Sequence, residues 1–136
     1  MPTRIDFRPS LDLACALTGM RVALVAEVTD TSARSIQSID SAGLGISSGM
    51  LLDVNKTFCK EVRASRSPVW FADALSHPDY QCSPIPGMYG FRSFLSVPLV
   101  LVDGSIFGTL CTLDPDPRPV DERSDEHPSV LLSLAY

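Results

Sequence analysis

FLSVPLVLVDGSIFGTLCTL, residues 94–113, carries the strongest local structural signal in this chain. Two runs rich in β-forming residues, 94–102 and 105–113, flank an Asp-Gly pair at 103–104, and this arrangement is the strongest short-range indication of a β-hairpin. We therefore predict a hairpin with a two-residue turn in which both turn residues have positive φ. Pro98 lacks an amide hydrogen, which predicts either a bulge in the first strand or an unpaired backbone position there.

Upstream, the chain opens with a helical pattern. Ser10 is a good N-cap residue and Gly19 a good C-cap residue, so the segment between them is predicted to be a short helix. Its apolar residues Leu13, Leu17 and Met20 fall near one face. Because this helix is too short to be stable alone, we expect that face to pack on another surface.

The pattern then changes to strands. Residues 21–28 are apolar at both odd and even positions, which predicts a strand buried on both faces. Residues 34–39 are more polar and suit a sheet edge, and 41–49 is a loop rich in serine and glycine. Thr57 is a candidate N-cap for a second helix, which ends near Ser65 before a proline that cannot continue it.

The composition changes again between the second helix and the hairpin. Residues 69–71 predict a short apolar strand. The following segment, 72–90, contains three prolines, two glycines and two tyrosines with little periodicity, which predicts a long structured loop. Such loops are uncommon in compact domains and often functional, because they can wall a pocket held by a rigid sheet.

Size and composition predict a single globular domain over 1–136. Of the 136 residues, 45% are hydrophobic and 20% charged, which allows a real core and disfavours intrinsic disorder. We expect the domain core over 11–114, a proline-rich acidic connector over 115–128 and the start of a C-terminal helix over 129–136. With no apolar stretch of membrane length and no secretory signal pattern, we expect a cytoplasmic protein without membrane contact.

The net charge of −5 is concentrated in one segment. Residues 114–127 contain six acidic residues and two arginines, so they carry −4 of it. The remaining chain is nearly neutral and has no basic stripe, so we expect no nucleic-acid partner. It also has no polybasic membrane anchor.

The four cysteines lack the spacing of a metal or redox motif. They stand 44, 23 and 29 residues apart, without a CxxC pair or a Cys/His cluster. Cys15, Cys59 and Cys111 fall at positions typical of apolar packing in helices or strands. We expect four reduced thiols, with Cys82 the most reactive, and neither a metal site nor a cofactor.

The order of these elements resembles the GAF domain family of small-molecule sensor modules. The resemblance extends from Leu11 to about Ala135. Each motif alone is weak, but their order and spacing together are specific. The segments that carry it are TFCKEV (57–62), PVWFADA (68–74), YGFRSFLSVPL (89–99), DG (103–104) and FGTLCTLD (107–114).

The resemblance implies an α+β, PAS-related fold with a central antiparallel sheet of five to six strands and helices on both faces. It also implies a ligand pocket between one sheet face and the long loop, and terminal helices that pair between protomers. We therefore expect a non-enzymatic regulatory domain of a bacterial signalling protein, of the sensor histidine kinase or diguanylate cyclase type. The expected homodimer contacts are Leu13, Leu17, Val130, Leu131 and Leu134.

The expected partner is an unidentified small molecule. Asp73, Arg92 and Ser93 could hold its polar groups, and Cys82 lies in the same loop. A structural alternative stays open, because such aromatic residues often form core and Arg92 could pair with Asp73 to pin the loop. The aromatic residues expected around the pocket are Trp70, Phe71, Tyr80, Tyr89, Phe91 and Phe94.

Other branches of the family suggest alternative functions. Cys82 lies near the position of a bilin-attaching cysteine, and His77 could serve a bilin or ligate haem. A cyclic-nucleotide branch carries an Asn-Lys…Phe…Asp-Glu signature, of which this chain has Asn55-Lys56 but not Asp-Glu, with Arg92 as the best phosphate partner. Another branch reduces free methionine sulfoxide with cysteines at a closer spacing than any in this chain.

Overall fold

The computed structural model describes residues 6–118. The expected C-terminal helix at 129–136 and residues 119–128 of the connector lie outside the described residues. No helix within 6–118 is long and apolar enough to cross a bilayer. The elements are α1 Arg8–Thr18, β1 Val22–Val28, β2 Ala33–Asp40, β3 Leu51–Leu52, α2 Cys59–Ser65, β4 Val69–Phe71, α3 Ile85–Tyr89, β5 Ser93–Val100 and β6 Ile106–Asp114, with 3-10 turns at Val54–Lys56 and Ala74–Ser76.

The six strands form one sheet in the order β3-β2-β1-β6-β5-β4. Every neighbouring pair is antiparallel. One core cluster lies on each face, with α1 on one side and α2 and α3 on the other. The predicted α+β fold, with five to six antiparallel strands and helices on both faces, is therefore confirmed.

The prediction that residues 34–39 suit a sheet edge needs correction at its first residues, because β3 covers the start of β2. Only Ala33 and Arg34 pair with β3. The next residue is covered by the loop, since the Ser35 amide donates to the Met50 carbonyl at 2.8 Å and the Gly49 amide donates to the Ser35 carbonyl at 2.6 Å. A strand of two residues is too short to produce the alternation by which strands are recognised.

α1 packs on the sheet through a different face from the predicted one. Leu11 and Ala14 are fully buried, whereas Leu13 and Leu17 are each 37% exposed. Met20 is buried, but it follows the end of the helix and does not share a face with them. The face was mispredicted because small residues such as alanine can define the buried side where helix and sheet approach closely.

The start of α1 also differs from the prediction, and its end agrees. The helix begins at Arg8 with Phe7 as the N-cap, so Ser10 lies inside the first turn. Pro9 suits this position because the first amides of a helix have no partner within it. Gly19 is the C-cap as predicted, with φ of 73°, and its amide donates to the Cys15 carbonyl.

α2 begins later than predicted. Its N-cap is Phe58, and the Thr57 hydroxyl donates to the Val54 carbonyl at 2.9 Å instead of capping the helix. The helix ends at Arg66, whose φ of 57° is left-handed. Thr57 is thus used by the preceding 3-10 turn, which the sequence pattern did not reveal.

β5 and β6 form the predicted hairpin, but its turn is longer than two residues. The Leu101 amide donates to the Ser105 carbonyl at 2.8 Å, and the Gly104 amide donates to the Leu101 carbonyl at 2.9 Å. Among the turn residues, positive φ occurs only at Gly104, where it is 88°. This is a three-residue loop with glycine in the left-handed position, the next commonest hairpin connection.

Pro98 is accommodated at the end of a paired segment. β4 pairs with β5 only as far as Ser96, so Pro98 lies beyond that ladder. The irregularity in the β5–β6 register occurs between Leu99 and Val100, just after the proline. On the side that faces β4, Pro98 is thus unpaired, as one of the two predicted alternatives required. The bulge, the other alternative, occurs after Leu99 and not at Pro98.

Residues 72–90 are not one irregular loop, because a 3-10 turn and α3 lie within them. Pro84 is the N-cap of α3 and Pro86 lies in its first turn, where a missing amide costs no hydrogen bond. Gly90 ends the helix with φ of 79°. Prolines at these positions are compatible with a short helix, so the composition alone was misleading.

Candidate functional site

A small cavity lies between the sheet and the elements that cover one of its faces. Its volume is about 40 Å³, which holds two or three water-sized groups at roughly 10–15 Å³ each. No charged side chain is among the described residues that line it. The sheet contributes Leu24, Leu52, Phe94, Cys111 and Leu113, and the covering segments contribute Ile46, Thr57, Phe58, Cys59, Ile85, Tyr89 and Phe91.

Strand alternation forms the floor of the cavity. Leu24 on β1 lies opposite Cys111 on β6, and Leu113 follows on the same face of β6. Phe94 on β5 lies opposite Leu113. Side chains from three adjacent strands therefore make one apolar floor.

Aromatic rings close one side of the cavity. Phe94 lies 5.2 Å from Phe91 and 5.3 Å from Phe58, between ring centroids. Behind them, Phe71 lies 5.6 Å from Phe94 and 4.8 Å from Tyr80. These separations fall within the range of roughly 4.5–7 Å that favours aromatic pairs, so the rings form a packed wall.

Another wall of the cavity depends on one carboxylate. Asp40 Oδ1 accepts the amides of residues 42–44 at 3.1, 2.9 and 3.2 Å, and Oδ2 accepts those of Gly45 and Ile46 at 2.8 and 3.1 Å. Burial raises the pKa of Asp40, but these backbone hydrogen bonds outweigh it, so the pKa is lowered. The carboxylate thereby holds Ile46 against the cavity.

Replacing Asp40 with asparagine is expected to loosen this wall. Asparagine keeps one acceptor oxygen, and its NH₂ group would face the amides of Gly45 and Ile46, which are also donors. We expect a loss of about 1.5–3 kcal/mol in the free energy of unfolding, the range for hydrogen bonds to charged groups. Hydrogen exchange of amides 42–46 should become at least about tenfold faster.

The matched control is Asp12→Asn, which removes the same charge from an exposed position of α1. It should leave exchange at residues 42–46 unchanged. Unchanged protection of these amides in Asp40→Asn would show that other contacts hold the loop.

Two thiols meet at the cavity. Cys59 begins α2 and Cys111 lies in β6, and their Sγ atoms are 4.0 Å apart. Both residues are buried and line the cavity. The Thr109 hydroxyl lies 3.2 Å from each sulfur, and the Ser96 hydroxyl lies 3.1 Å from the Cys111 sulfur.

The environment makes these two thiols unequal. Their mutual hydrogen bond lowers the pKa of Cys59 against the effect of burial, and the Thr109 hydroxyl lowers it further. The same hydrogen bond raises the pKa of Cys111, and burial adds to that rise. Cys59 is therefore the thiol that ionises first, with the Cys111 S–H as its donor.

The structure places the predicted site residues in different surroundings. Tyr89, Phe91 and Phe94 line the cavity. Phe71 and Tyr80 belong to the aromatic wall behind it. Phe71 is fully buried, so it is a core residue, as the structural alternative for these aromatic residues supposed.

Trp70 and Cys82 lie away from the cavity. Trp70 packs against the core on the α1 side of the sheet, whereas its neighbours Val69 and Phe71 face the opposite core. Successive side chains of a strand point to opposite faces, so its expected place around the pocket was wrong. Cys82 is exposed, and Cys15 is only half-buried rather than a core residue.

The predicted polar residues are engaged in structural contacts. Arg92 donates from Nε and Nη2 to the Asp73 carboxylate at 3.1 and 2.7 Å, so this pair pins the segment, as the structural alternative supposed. Asp73 also accepts the Leu75 amide at 3.1 Å. The Ser93 hydroxyl donates to the Asp116 carbonyl at 2.9 Å. None of the three predicted polar residues is among the residues that line the cavity.

Sequence reasoning missed part of the lining. Leu24 and Leu113 lie in the apolar runs that predicted buried strands, and Ile46 is one of two large apolar residues in a Ser/Gly loop. Both features could have indicated that these residues face the core. The thiol pair had no such signal, because Cys59 and Cys111 are separated by 52 positions. The full set missed is Leu24, Ile46, Leu52, Thr57, Phe58, Cys59, Ile85, Cys111 and Leu113.

Comparison with known families identifies one match over nearly the whole chain. The family model described as GAF domain matches residues 7–135. Among curated proteins, no sequence is significantly similar to this chain.

Solved structures with the same fold include photoreceptors and an enzyme. The chromophore-binding domain of the bacteriophytochrome RpBphP3 from R. palustris superposes with a TM-score of 0.73 at 13% identity, over 93% of this chain and 51% of that one. This chain thus spans about half of that structure. The PixJ GAF domain of Thermosynechococcus elongatus superposes with a TM-score of 0.72 at 19% identity, over 95% of this chain and 77% of that one. Free methionine-R-sulfoxide reductase from Neisseria meningitidis superposes with a TM-score of 0.68 at 17% identity, over 93% of this chain and 71% of that one.

Proposed function

This chain belongs to the GAF domain family, and from that premise we propose that it is a non-enzymatic regulatory module that binds a small, mainly apolar molecule. Its setting would be a bacterial signalling protein of the sensor histidine kinase or diguanylate cyclase type. A ligand shifts a conformational equilibrium only through its different affinity for the two states. The states we propose differ in how α3 and loop 41–49 close over the sheet.

The apolar cavity is the observation that carries this proposal. Its lining comes from the sheet, α2, α3 and loop 41–49, so an occupant would touch elements that are far apart in the chain. A volume of about 40 Å³ is well below the few hundred Å³ of typical ligand sites. A ligand of more than a few atoms would therefore displace one of the covering elements, which couples binding to a change of shape.

The same lining weighs against a free methionine sulfoxide reductase. A free amino acid carries an ammonium and a carboxylate group, which need charged or hydrogen-bonding partners when buried. The described lining residues include no charged side chain to supply them. The small volume likewise gives no support to a bilin or haem, and Cys82 and His77 do not line the cavity.

We further propose that the module works in the cytoplasm as a homodimer. Leu13 and Leu17 on α1 are each 37% exposed, which leaves apolar surface on the side of the helix away from the sheet core. Burying such surface between two copies would stabilise the dimer. The other proposed contacts, Val130, Leu131 and Leu134, lie outside the described residues.

Benzene titration followed by methyl NMR tests the cavity, since benzene is a small apolar probe. We expect saturable shifts of the methyl resonances of Leu24, Ile46 and Leu113, which line the cavity. Sodium acetate, a small anion, should cause none because the lining offers it no charged partner. Absence of saturable benzene binding to the folded wild-type protein would refute the proposal.

Two adjacent leucines provide a matched pair of variants. Leu52 lines the cavity, whereas its neighbour Leu51 is 71% exposed. Leu52→Trp should fill the space and weaken benzene binding at least about tenfold, equivalent to roughly 1.4 kcal/mol. Leu51→Trp should leave binding unchanged. Equal weakening by both variants would place the benzene site elsewhere.

A further inference from the structure

The thiols of Cys59 and Cys111 lie next to each other in the core on the cavity side of the sheet. Their sulfurs are 4.0 Å apart, and each lies within 3.2 Å of a buried hydroxyl, from Thr109 or Ser96. A disulfide has an S–S distance of about 2.05 Å, so closing the bond requires a combined sulfur movement of roughly 2 Å. Both residues also line the cavity, so a molecule small enough to enter it would meet both sulfurs.

From this geometry we infer that Cys59 and Cys111 form a peroxide-reactive dithiol that is converted to an intramolecular disulfide. The oxidant is a small hydroperoxide, with hydrogen peroxide the simplest member of the class. The cavity volume of about 40 Å³ is enough for a molecule of four atoms. The inference goes beyond the proposed sensor function and does not depend on which apolar ligand the cavity binds.

The reaction proceeds in two balanced steps. The Cys59 thiolate attacks one oxygen of hydrogen peroxide, so that an S–O bond forms, the O–O bond breaks and the hydroxide released takes up a proton to become water. The Cys111 sulfur then attacks Cys59 Sγ, the S–O bond breaks, and the hydroxide leaves with the Cys111 proton as a second water. Two thiols are oxidised and one peroxide is reduced to two waters.

The surrounding hydroxyls can support a thiolate at either sulfur, since Thr109 lies 3.2 Å from both. The attacking role falls to Cys59 because its pKa is lowered while that of Cys111 is raised, and the Cys111 S–H lies within hydrogen-bond distance of its sulfur. Cys111 is then the resolving thiol, because its sulfur lies 4.0 Å from the sulfur that it must attack. Ser96, 3.1 Å from the Cys111 sulfur, is placed to accept the proton that Cys111 releases.

The disulfide would have a structural consequence at the cavity. Cys59 begins α2 and Cys111 lies in a central strand, so the bond would tie the helix to the sheet. Both residues line the cavity, and drawing them together would narrow it. Oxidation would thus act on α2, whereas an apolar ligand would act on α3 and loop 41–49, and both changes would alter the same cavity.

Intact mass and peptide mapping of the wild-type protein test the inference directly. Fully reduced protein is treated with one equivalent of hydrogen peroxide under argon, and remaining thiols are blocked with iodoacetamide before digestion. Trypsin separates the cysteines, because Arg21, Lys60 and Arg92 stand between successive ones. We expect a loss of about 2 Da and one cross-linked species that joins the peptide beginning at Thr57 to the one beginning at Ser93.

Variants identify the order of the steps. In Cys111→Ala, the Cys59 sulfenic acid has no resolving thiol and should be trapped by dimedone, whereas Cys59→Ser should give neither adduct nor disulfide. Cys82→Ser is the matched control, because it removes an exposed cysteine and should leave disulfide formation unchanged.

The peptide map of the wild-type protein tests the inference even if a variant of Cys59 or Cys111 fails to fold. A disulfide that contains Cys15 or Cys82, an intermolecular disulfide, or alkylated Cys59 and Cys111 after excess peroxide would each overturn the inference. Benzene binding plays no part in this measurement. The thiol inference and the proposed ligand function can therefore fail separately.

Discussion

Gly108→Ala is expected to cost on the order of 4 kcal/mol or more in the free energy of unfolding, the largest effect of any single substitution considered. A Cβ atom built at Gly108 would lie 1.8 Å from the Ala26 carbonyl oxygen, 2.8 Å from the Ala26 carbonyl carbon and 3.0 Å from Glu27 Cα. All three are backbone atoms of β1, so no side-chain rotation relieves the clash. β6 would have to separate from β1 at the centre of the sheet.

This loss is large compared with the roughly 5–15 kcal/mol by which domains are stable. Urea unfolding followed by circular dichroism measures it. Gly87→Ala is the matched control, because a Cβ built there meets nothing within 4 Å and Gly87 lies in a helix. The control should be neutral or slightly stabilising. Similar stability of the two variants would disprove the close approach of β6 to β1.

Asp114→Ala is expected to lower the free energy of unfolding by about 3 kcal/mol, because it removes a buried carboxylate that accepts two backbone amides and the partly exposed Arg21 guanidinium. The Asp114 side chain is fully buried. It accepts Arg21 Nε and Nη2 at 3.0 and 2.9 Å, and the amides of Arg21 and Asp116 at 2.9 Å each. Removal leaves the two amides without this acceptor between α1 and β1, whereas Arg21 Nη2 keeps its bond to Asp116 at 2.9 Å.

The same carboxylate should make stability depend on acidity. Burial raises the pKa of Asp114, but the Arg21 guanidinium and the backbone amides outweigh it and lower the pKa from 3.8 to about 2. A carboxylate with a lowered folded-state pKa adds stability that is fully present above the unfolded pKa and is lost as the pH falls through the folded one. We therefore expect wild-type protein to lose roughly 2 kcal/mol through this group between pH 4 and about 2.

Asp116→Asn is the control for both measurements. Asp116 also pairs with Arg21 at 2.9 Å, but its side chain is 64% exposed, so the pair should contribute less than about 1 kcal/mol. In Asp114→Ala, the free energy of unfolding should fall less between pH 4 and about 2 than in the wild type. In Asp116→Asn, it should fall as much as in the wild type. An equal loss of stability at low pH in the wild type and in Asp114→Ala would show that another group causes this loss.

Much of the fold could be predicted from local patterns. The continuous apolar run at 21–28 and the two β-rich runs around 103–104 are local signals that span only a few residues, and each identified its element correctly. Gly19 ended α1 as predicted, because a glycine after a helix accepts the left-handed conformation. Errors occurred where an element was too short for periodicity, as in β3, or where a polar residue had a nearer partner, as with Thr57.

The candidate site was less accessible to such reasoning. Aromatic composition correctly drew attention to residues 70–94, but not to which of them face the cavity. Trp70 and Phe71 are adjacent and equally apolar, and only the pairing of β4 with β5 determines which of them faces the cavity side of the sheet. A strand reverses the assignment of every side chain when its register changes by one residue, so composition cannot determine it.

Local periodicity and turn chemistry were therefore enough to predict single helices, strands and the hairpin, whereas the antiparallel sheet with helices on both faces was implied by the resemblance to the GAF family. The contact between Cys59 and Cys111, the clash distance at Gly108 and the ion pair of Asp114 with Arg21 came only from the tertiary structure. Patterns along a chain indicate that a segment is a helix or a strand with a buried face, from the residues of that segment alone. Which buried groups then meet across 52 or 93 positions is determined by how the whole sheet and its helices pack.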